Sequence, residues 1–360
     1  MRIGLTYDLQ TNAADERQAE FDPPATLEAL TTALEGFGHE LIRLGSAQDV
    51  LAHPDRLHGV ELVFNIAEGA HGRCREAWAP MLLELAGVPY VGSDPLALTL
   101  GLEKVMCKRI AVAEGIPTPR WLSVTRASAL PAALPMEFPV IVKPQQEGSG
   151  RGIDAGAVVR TREALQARIA WLLQRCDGPI LIEAFIPHGE LTVLVIGNDP
   201  PTAYPAIQRA LDPVSRLSCH AVKPIPERVE CPLTLEPALD AEARRIALTM
   251  FQALGCRDMA RVDLRVDAQG RPWFLEINPL PSFDPEGTLG LLAESLGATY
   301  AQLVGEILRA ALERLDKGSV WRVTPEGRPL PPPGARKSNP LASGEDGGGV
   351  PQAAGPAKLA

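Results

Sequence analysis

Residues 260–278 hold the densest set of groups able to do chemistry. Arg261, Asp263 and Arg265 alternate with Ala260, Val262, Leu264 and Val266, and beyond Asp267-Ala268-Gln269-Gly270 a second run carries Phe274, Glu276 and Asn278. Alternation of period two on either side of a Gly-containing turn predicts a β-hairpin, with residues of one parity sharing a face. A four-residue loop pairs Val266 with Arg271, hence Asp263 with Phe274 and Arg261 with Glu276. Asp263 and Glu276 are then diagonal neighbours, roughly 5.5–8 Å apart at Cβ, and Asn278 lies one step along the same face. Two carboxylates and an amide offer hard oxygen donors suited to Mg2+ holding a nucleotide's phosphates. The competing reading is a solvated polar face with an Arg261–Glu276 cross-strand pair.

Three further segments add candidates. Val140-Ile-Val-Lys143 reads as a strand delivering Lys143 to a loop with Gly148, Ser149, Gly150 and Gly152. Glycine permits positive φ and lets backbone N–H groups approach phosphate oxygens. No Gly-Lys-Ser/Thr opens a helix, so this is not a Walker loop but a hairpin able to fold over phosphates; a merely flexible hairpin is the alternative. Pro179-Ile-Leu-Ile-Glu183 is an apolar strand ending in a carboxylate, followed by Phe185, Ile186 and Glu190. Such an exit suits an adenine packed on Phe185 and Ile186, with Glu190 on a ribose hydroxyl; an ordinary buried strand and surface turn is the alternative. Asn65-Ile-Ala-Glu68-Gly-Ala-His71-Gly-Arg73 follows a strand of the first predicted sheet, where open α/β sheets place ligands. Glu68 and His71 are candidate substrate contacts there, with a helix-capping histidine as the alternative.

The six cysteines show no C-x-x-C spacing, and His71 with Cys74 finds no second pair to complete a metal site. Reduced thiols in a cytoplasmic chain follow. Gly148-Ser149-Gly150 is the nearest approach to a nucleophile elbow, in the wrong strand–helix context.

These groups need elements to position them. The N-terminal third alternates strands (3–7, 40–44, 57–65) with helices (24–37, 76–86), and Trp78, Leu82 and Leu85 mark one face of the second helix. That rhythm predicts a parallel sheet with covering helices. The middle reads as a small α+β unit: a helix over 102–113, strands at 139–143, 153–159 and 179–183, and a helix near 163–173. The last part has strands at 191–196 and 202–207, a helix over 240–254, the hairpin, and closing helices at 289–296 and 300–315. The implied division is 1–100, 101–186 and 187–325, then a Gly/Pro-rich tail over 326–360. Its final thirty residues hold six Gly, six Pro and no aromatic residue, a composition predicting disorder.

Composition narrows the class. The 360 residues are 46% apolar and 22% charged, as in a globular protein, and the net charge is −9. No Lys/Arg block argues for nucleic acid and no run approaches a membrane span, so no nucleic-acid or membrane partner is expected.

Taken together, the chain resembles the ATP-grasp ligases, and most closely the D-alanine–D-alanine ligase family. The residues carrying the resemblance are Glu68–Arg73, Gly87–Ser93, Leu102-Glu-Lys104, Val142-Lys-Pro with Glu147-Gly-Ser149, Leu181-Ile-Glu183, Glu190-Leu-Thr-Val193, Ala253–Arg257, Arg261-Val-Asp263 and Leu275-Glu-Ile-Asn278-Pro279, in family order over roughly residues 1–315. The resemblance implies an α/β fold in three parts: a parallel pre-ATP-grasp domain, a small α+β lid, and a C-terminal α+β domain carrying the metals. It implies ATP and two Mg2+ (Mn2+ as the alternative) as cofactors, small-molecule carboxylate and amine substrates, and a homodimer. The family phosphorylates a carboxylate with ATP, and an amine then attacks the acyl phosphate.

By matching positions, the resemblance puts Lys104 and Lys143 on ATP phosphates and Glu183, Phe185, Ile186 and Glu190 around the nucleotide. Asp263, Glu276 and Asn278 would hold the metal ions, Arg261 would steady the developing oxyanion, and Ser149 would be the lid serine.

The sequence also departs from the family. The usual Gly-Gly…Ser-x-Glu segment is missing, and the first strand runs into Thr6-Tyr7-Asp8-Leu9. The Gly and Ser-Leu that follow the metal asparagine are replaced by 279–287, where Ser282 and Gly287 are the candidate substrate contacts. The Tyr-Ser-x-x-Lys loop is not recognisable between Gln208 and Pro232, where Lys223 is the lone lysine. A ligase for a different amino acid or peptide pair, and a nucleotide-binding module without turnover, stay open at this point.

Overall fold

The computed structural model describes residues 1–12, 15–219 and 228–316. The expected tail over 326–360, the end of the third part and Lys223 lie outside the described residues. The first strand, β1 (Arg2–Thr6), is followed by α1 (Pro24–Gly36), β2 (Glu40–Gly45), α2 (Ala47–Ala52), β3 (Leu62–Asn65), α3 (Trp78–Ala86) and β4 (Tyr90–Val91). The four strands form a parallel sheet in the order β2-β1-β3-β4. The chain therefore reverses direction of travel between β1 and β3, and beyond the C-terminal ends of such strands open α/β sheets place their ligand crevice. The fully buried residues of α3 are Ala79, Pro80 and Leu83; of the expected face, Trp78 and Leu82 are half-buried against the core and Leu85 is exposed. A tight turn at Arg75–Ala77 precedes the helix, and Leu85 near its end is 84% exposed.

Two short helices, α4 (Pro95–Leu102) and α5 (Lys104–Ala113), lead to β5 (Trp121–Val124), β6 (Val140–Pro144), β7 (Val158–Val159), α6 (Arg162–Leu173) and β8 (Ile180–Ala184). These strands make an antiparallel sheet ordered β5-β8-β6-β7. Its apolar residues, among them Val140, Val142, Leu165, Ile169 and Ile182, form a cluster of their own under α6. The expected strand over 153–159 shrinks to two residues, because 154–157 form a turn in which Ala157 N donates to the Asp154 carbonyl and Gly156 N to its side chain.

The third unit comprises β9 (Gly189–Ile196), β10 (Thr202–Ala203), β11 (Ile207–Gln208), α7 (Pro237–Ala253), β12 (Met259–Val266), β13 (Pro272–Asn278), α8 (Thr288–Ser295) and α9 (Tyr300–Asp316). Its sheet runs β10-β9-β12-β13, with β11 also on β9. One face packs on α7 through Ile246, Ala247, Met250 and Phe251. Residues of β9, β12, α8 and α9 share a second core with β1, β3 and α1. α5, placed with the middle unit by the sequence division, sends Cys107 and Ala111 into the α7 core instead. No disulfide links the six cysteines. Among the described residues no helix is long and apolar enough to cross a membrane.

Candidate active site

The polar face of the β12–β13 hairpin is the centre of the site. Five residues, 267–271, separate the paired ends Val266 and Pro272, and a bulge leaves Leu275 unpaired. The register therefore differs from the expected one: Asp263 lies directly opposite Glu276, and Arg261 opposite Asn278. The extra residue also separates two duties that strict alternation would mix. Phe274 pairs with Leu264 and is fully buried in the apolar core, while Glu276 and Asn278 stay on the polar face with Asp263.

Asp263 is held from both sides. Thr192 Oγ1 of β9 donates to its Oδ1 at 2.8 Å, Arg261 Nη2 to its Oδ2 at 2.8 Å, and Asn278 Nδ2 to Oδ2 at 3.3 Å. Lys104 Nζ, at the start of α5, stands 3.4 Å from Glu276 Oε2 and donates to the Glu147 carbonyl at 2.6 Å. Burial would raise the Glu276 pKa, but Lys104, Lys143 and Arg261 lower it, so the carboxylate is ionised. Three convergent oxygen donors, two of them anionic, fit a small hard cation. Nearby Arg209 is pushed down by burial, and its buried Nη1 has no hydrogen-bond partner among the described residues. A guanidinium N–H in that state suits an anionic oxygen.

Behind this face lies a charged triad. Glu183, fully buried at the end of β8, is paired with Lys143 of β6 at 2.6 Å and with Lys108 of α5. Burial favours a neutral Glu183, and the two ammonium groups overcome it, taking the pKa down to about 2. Glu183 thus holds Lys143 rather than facing an open pocket. Lys108 follows Lys104 by one helical turn, a spacing visible in the sequence.

Phe185, Ile186, Pro187, His188, Arg216 and Asp267 line an open cavity of about 490 Å³. Arg265 braces the residues that line it. Its guanidinium sits 5.2 Å from the Phe185 ring, donates to the Ile186 carbonyl at 2.7 Å and pairs with Glu190 Oε2 at 2.8 Å. Its place on the polar face of β12 was readable from the strand alternation.

The loop after β6 is tied to the first sheet. Arg75 pairs with Glu20 at 2.7 Å and donates to the Gln146 carbonyl at 3.0 Å, and Gly148 N donates to Glu20. A Cβ at Gly148 would lie 2.5 Å from Glu20 Oε1, so any larger residue there has to displace the Glu20 carboxylate or the loop. Ser149 follows at φ 47°, a left-handed conformation uncommon outside glycine. Glu103 accepts from the side chains of Gln145 and Gln146, which fixes the root of the loop.

Around this loop gather carboxylates that sequence spacing did not group. Glu68 lies three residues past β3 and Asp8 two past β1, with Gly69 N donating to Asp8 Oδ2 at 2.8 Å. Asp22 N donates to the Asp8 carbonyl at 3.0 Å. Burial raises the Glu76 pKa to about 8 and that of Asp22 to about 7, and it raises that of Glu68 well above the usual range. Asp284, between Ser282 and Gly287, adds its charge to Asp22. Ser282 Oγ accepts from Asp284 N at 3.2 Å, and Gly287 precedes α8. His71 does not join the carboxylates: the imidazole is exposed, packed edge-on against Trp78 with centroids 5.4 Å apart.

A family profile described as "D-ala D-ala ligase C-terminus" matches residues 110–309. A D-alanine–D-alanine ligase of Synechococcus sp. (strain JA-3-3Ab) is 33% identical over 324 residues, covering 88% of this chain and 96% of that protein. Protein y4sG of Sinorhizobium fredii is 31% identical over 298 residues, 80% of this chain and 87% of that protein. The crystal structure of a D-alanine–D-alanine ligase from Bacillus anthracis complexed with ATP superposes with a TM-score of 0.68 at 22% identity, covering 89% of this chain and 99% of that one. At that identity the likeness speaks for the fold.

Proposed function

The chain belongs to the D-alanine–D-alanine ligase family, and on that footing we propose how its residues divide the work of an ATP-dependent ligase. The enzyme forms a peptide-type bond. ATP phosphorylates a substrate carboxylate, turning a poor leaving group into a good one, and an amine attacks the acyl phosphate to release phosphate. The observation that carries the assignment is the hairpin register: Asp263 opposite Glu276, with Arg261 and Asn278 paired beside them.

Asp263, Glu276 and Asn278 would hold Mg2+, two ions in this reading, and bound there the metal supplies positive charge where phosphate oxygens gain negative charge. Lys104, Lys143 and Arg209 bind phosphate oxygens. The unsatisfied Nη1 of Arg209 supports its place among them. Glu183 and Lys108 position Lys143. Phe185 and Ile186 pack the adenine, and Glu190 offers its remaining oxygen to a ribose hydroxyl. Arg261 stabilises the oxyanion of the tetrahedral intermediate, a contribution made where charge develops. The unit built on the β5–β8 sheet acts as a lid: its separate core lets it move as a body, and the Ser149 loop covers the acyl phosphate and excludes water.

The substrate pair need not be two D-alanines, because 6–9 and 279–287 differ from the family at the positions that read them. The test is phosphate release from Mg2+·ATP with D- and L-amino acids, singly and in pairs, with mass spectrometry of the products. A pair-dependent dipeptide names the substrates. Glu276→Gln is expected to lower kcat/KM by roughly 100-fold or more. A near-normal rate in that variant removes the metal assignment.

A further inference from the structure

The crevice beyond β1 and β3 is more acidic than a neutral amino acid requires. Four carboxylates, Glu20, Asp22, Glu68 and Glu76, gather there, and the cations beside them among the described residues are already engaged. Arg75 is paired with Glu20, Lys104 with Glu276, and Arg261 with Asp263. Asp22 and Glu76 are 7% and 8% exposed, yet neither carboxylate makes a hydrogen bond or ion pair with any described residue. Glu68 likewise has no such partner among the described residues. A buried carboxylate without a partner is costly, and such groups persist where a ligand completes them. The crevice lies at the reversal point of a parallel sheet, the position where open α/β sheets bind ligands.

We propose that this crevice receives a substrate carrying a second cationic group, a basic amino acid or a diamine, whose distal ammonium or guanidinium lies among Asp22, Glu68 and Glu76. The inference rests on the ligase reading and names the substrate class for it. One α-ammonium pairs with one carboxylate; three without partners can take up a further cation in place of the protons that burial keeps on them. The location also serves the chemistry. Glu20 and Arg75 clamp the Ser149 loop over the crevice, so a cation seated there stays beside the covered reacting carboxylate. Burial and the charges of Glu76, Glu20 and Asp22 all raise the Glu68 pKa, so a bound cation draws protons off the cluster.

The experiment is calorimetric titration of the full chain, with Mg2+ and ADP present, against D- and L-lysine, D- and L-ornithine, 1,4-diaminobutane, and D- and L-alanine. Phosphate release from Mg2+·ATP is measured in the same mixtures. At least one basic probe is expected to bind tenfold or more tighter than alanine, with proton release near pH 7. Asp22→Asn and Glu76→Gln are each expected to lose roughly tenfold of that affinity while alanine binding moves less than about twofold. Circular dichroism and Mg2+·ADP affinity check that both variants fold. Alanine binding as tightly as every basic probe, or a preference that survives both substitutions, overturns the inference. Phosphate release confined to neutral amino-acid pairs overturns it too and leaves the ligase reading standing. Selective binding of a basic probe without phosphate release from any pair supports the cation site and places the second substrate outside the panel.

Discussion

Glu76 and Glu183 are both buried carboxylates, and their partners decide their opposite behaviour. Glu183 sits between Lys108 and Lys143 and is ionised at any working pH. Glu76 has no ion pair among the described residues, and burial raises its pKa to about 8. A carboxylate whose folded pKa is raised binds a proton more tightly in the folded state. Its stabilisation is complete below the unfolded pKa, near 4.5, and is lost as pH climbs through about 8. Glu76→Gln should therefore raise the Tm by several degrees at pH 8.5 and by about one degree or less at pH 4.5. Thermal melts of both proteins across that range check the sign, and a gain confined to low pH would contradict the burial account.

At the scale of elements, the hairpin and the loop after β6 do most to define the site. The bulge at Leu275 lets one strand feed both a core and a metal-binding face. The loop is held by its backbone: Gly148 comes close enough to donate to Glu20, and Arg75 reaches the Gln146 carbonyl. Gly148→Ala places a Cβ against Glu20 Oε1 and should push the loop away from the first sheet. Water then reaches the acyl phosphate. The expected result is a several-fold rise in ATP hydrolysis without product relative to ligation, measured as ADP formed per dipeptide. An unchanged ratio would show that the loop closes without this contact.

The whole molecule depends on a joint between the first and third sheets. Arg314 of α9 pairs with Asp258, just before β12, at 2.7 Å and donates to the Tyr90 carbonyl at 2.9 Å. Asp258, fully buried, also accepts from Gly92 N at 2.8 Å and from Asn198 Nδ2 at 3.0 Å. Arg314→Met leaves that carboxylate without its cation and should cost about 3–5 kcal/mol of unfolding free energy, read from urea denaturation. A loss below about 1 kcal/mol would mean that the shared core between the units, not the ion pair, holds them together.

The sequence alone determined what depends on local pattern. Period-two alternation located the hairpin with Arg261, Asp263, Glu276 and Asn278, apolar runs located most strands, and motif order identified the family. Glycine spacing marked the loop that carries Ser149. Register, partners and burial were decided by the tertiary structure. One unpaired residue in β13 moved Asp263 from Phe274 to Glu276, because a bulge is selected by the core that Phe274 must fill. Glu183 became a clamp for Lys143 because α5 brings Lys108 beside it. Glu20, Asp22, Glu68 and Glu76 became one acidic crevice because the ends of two parallel strands and the turn before α3 meet across more than forty residues of chain. Short-range pattern records which way a side chain points, and only the folded chain decides which charges share its low-dielectric surroundings.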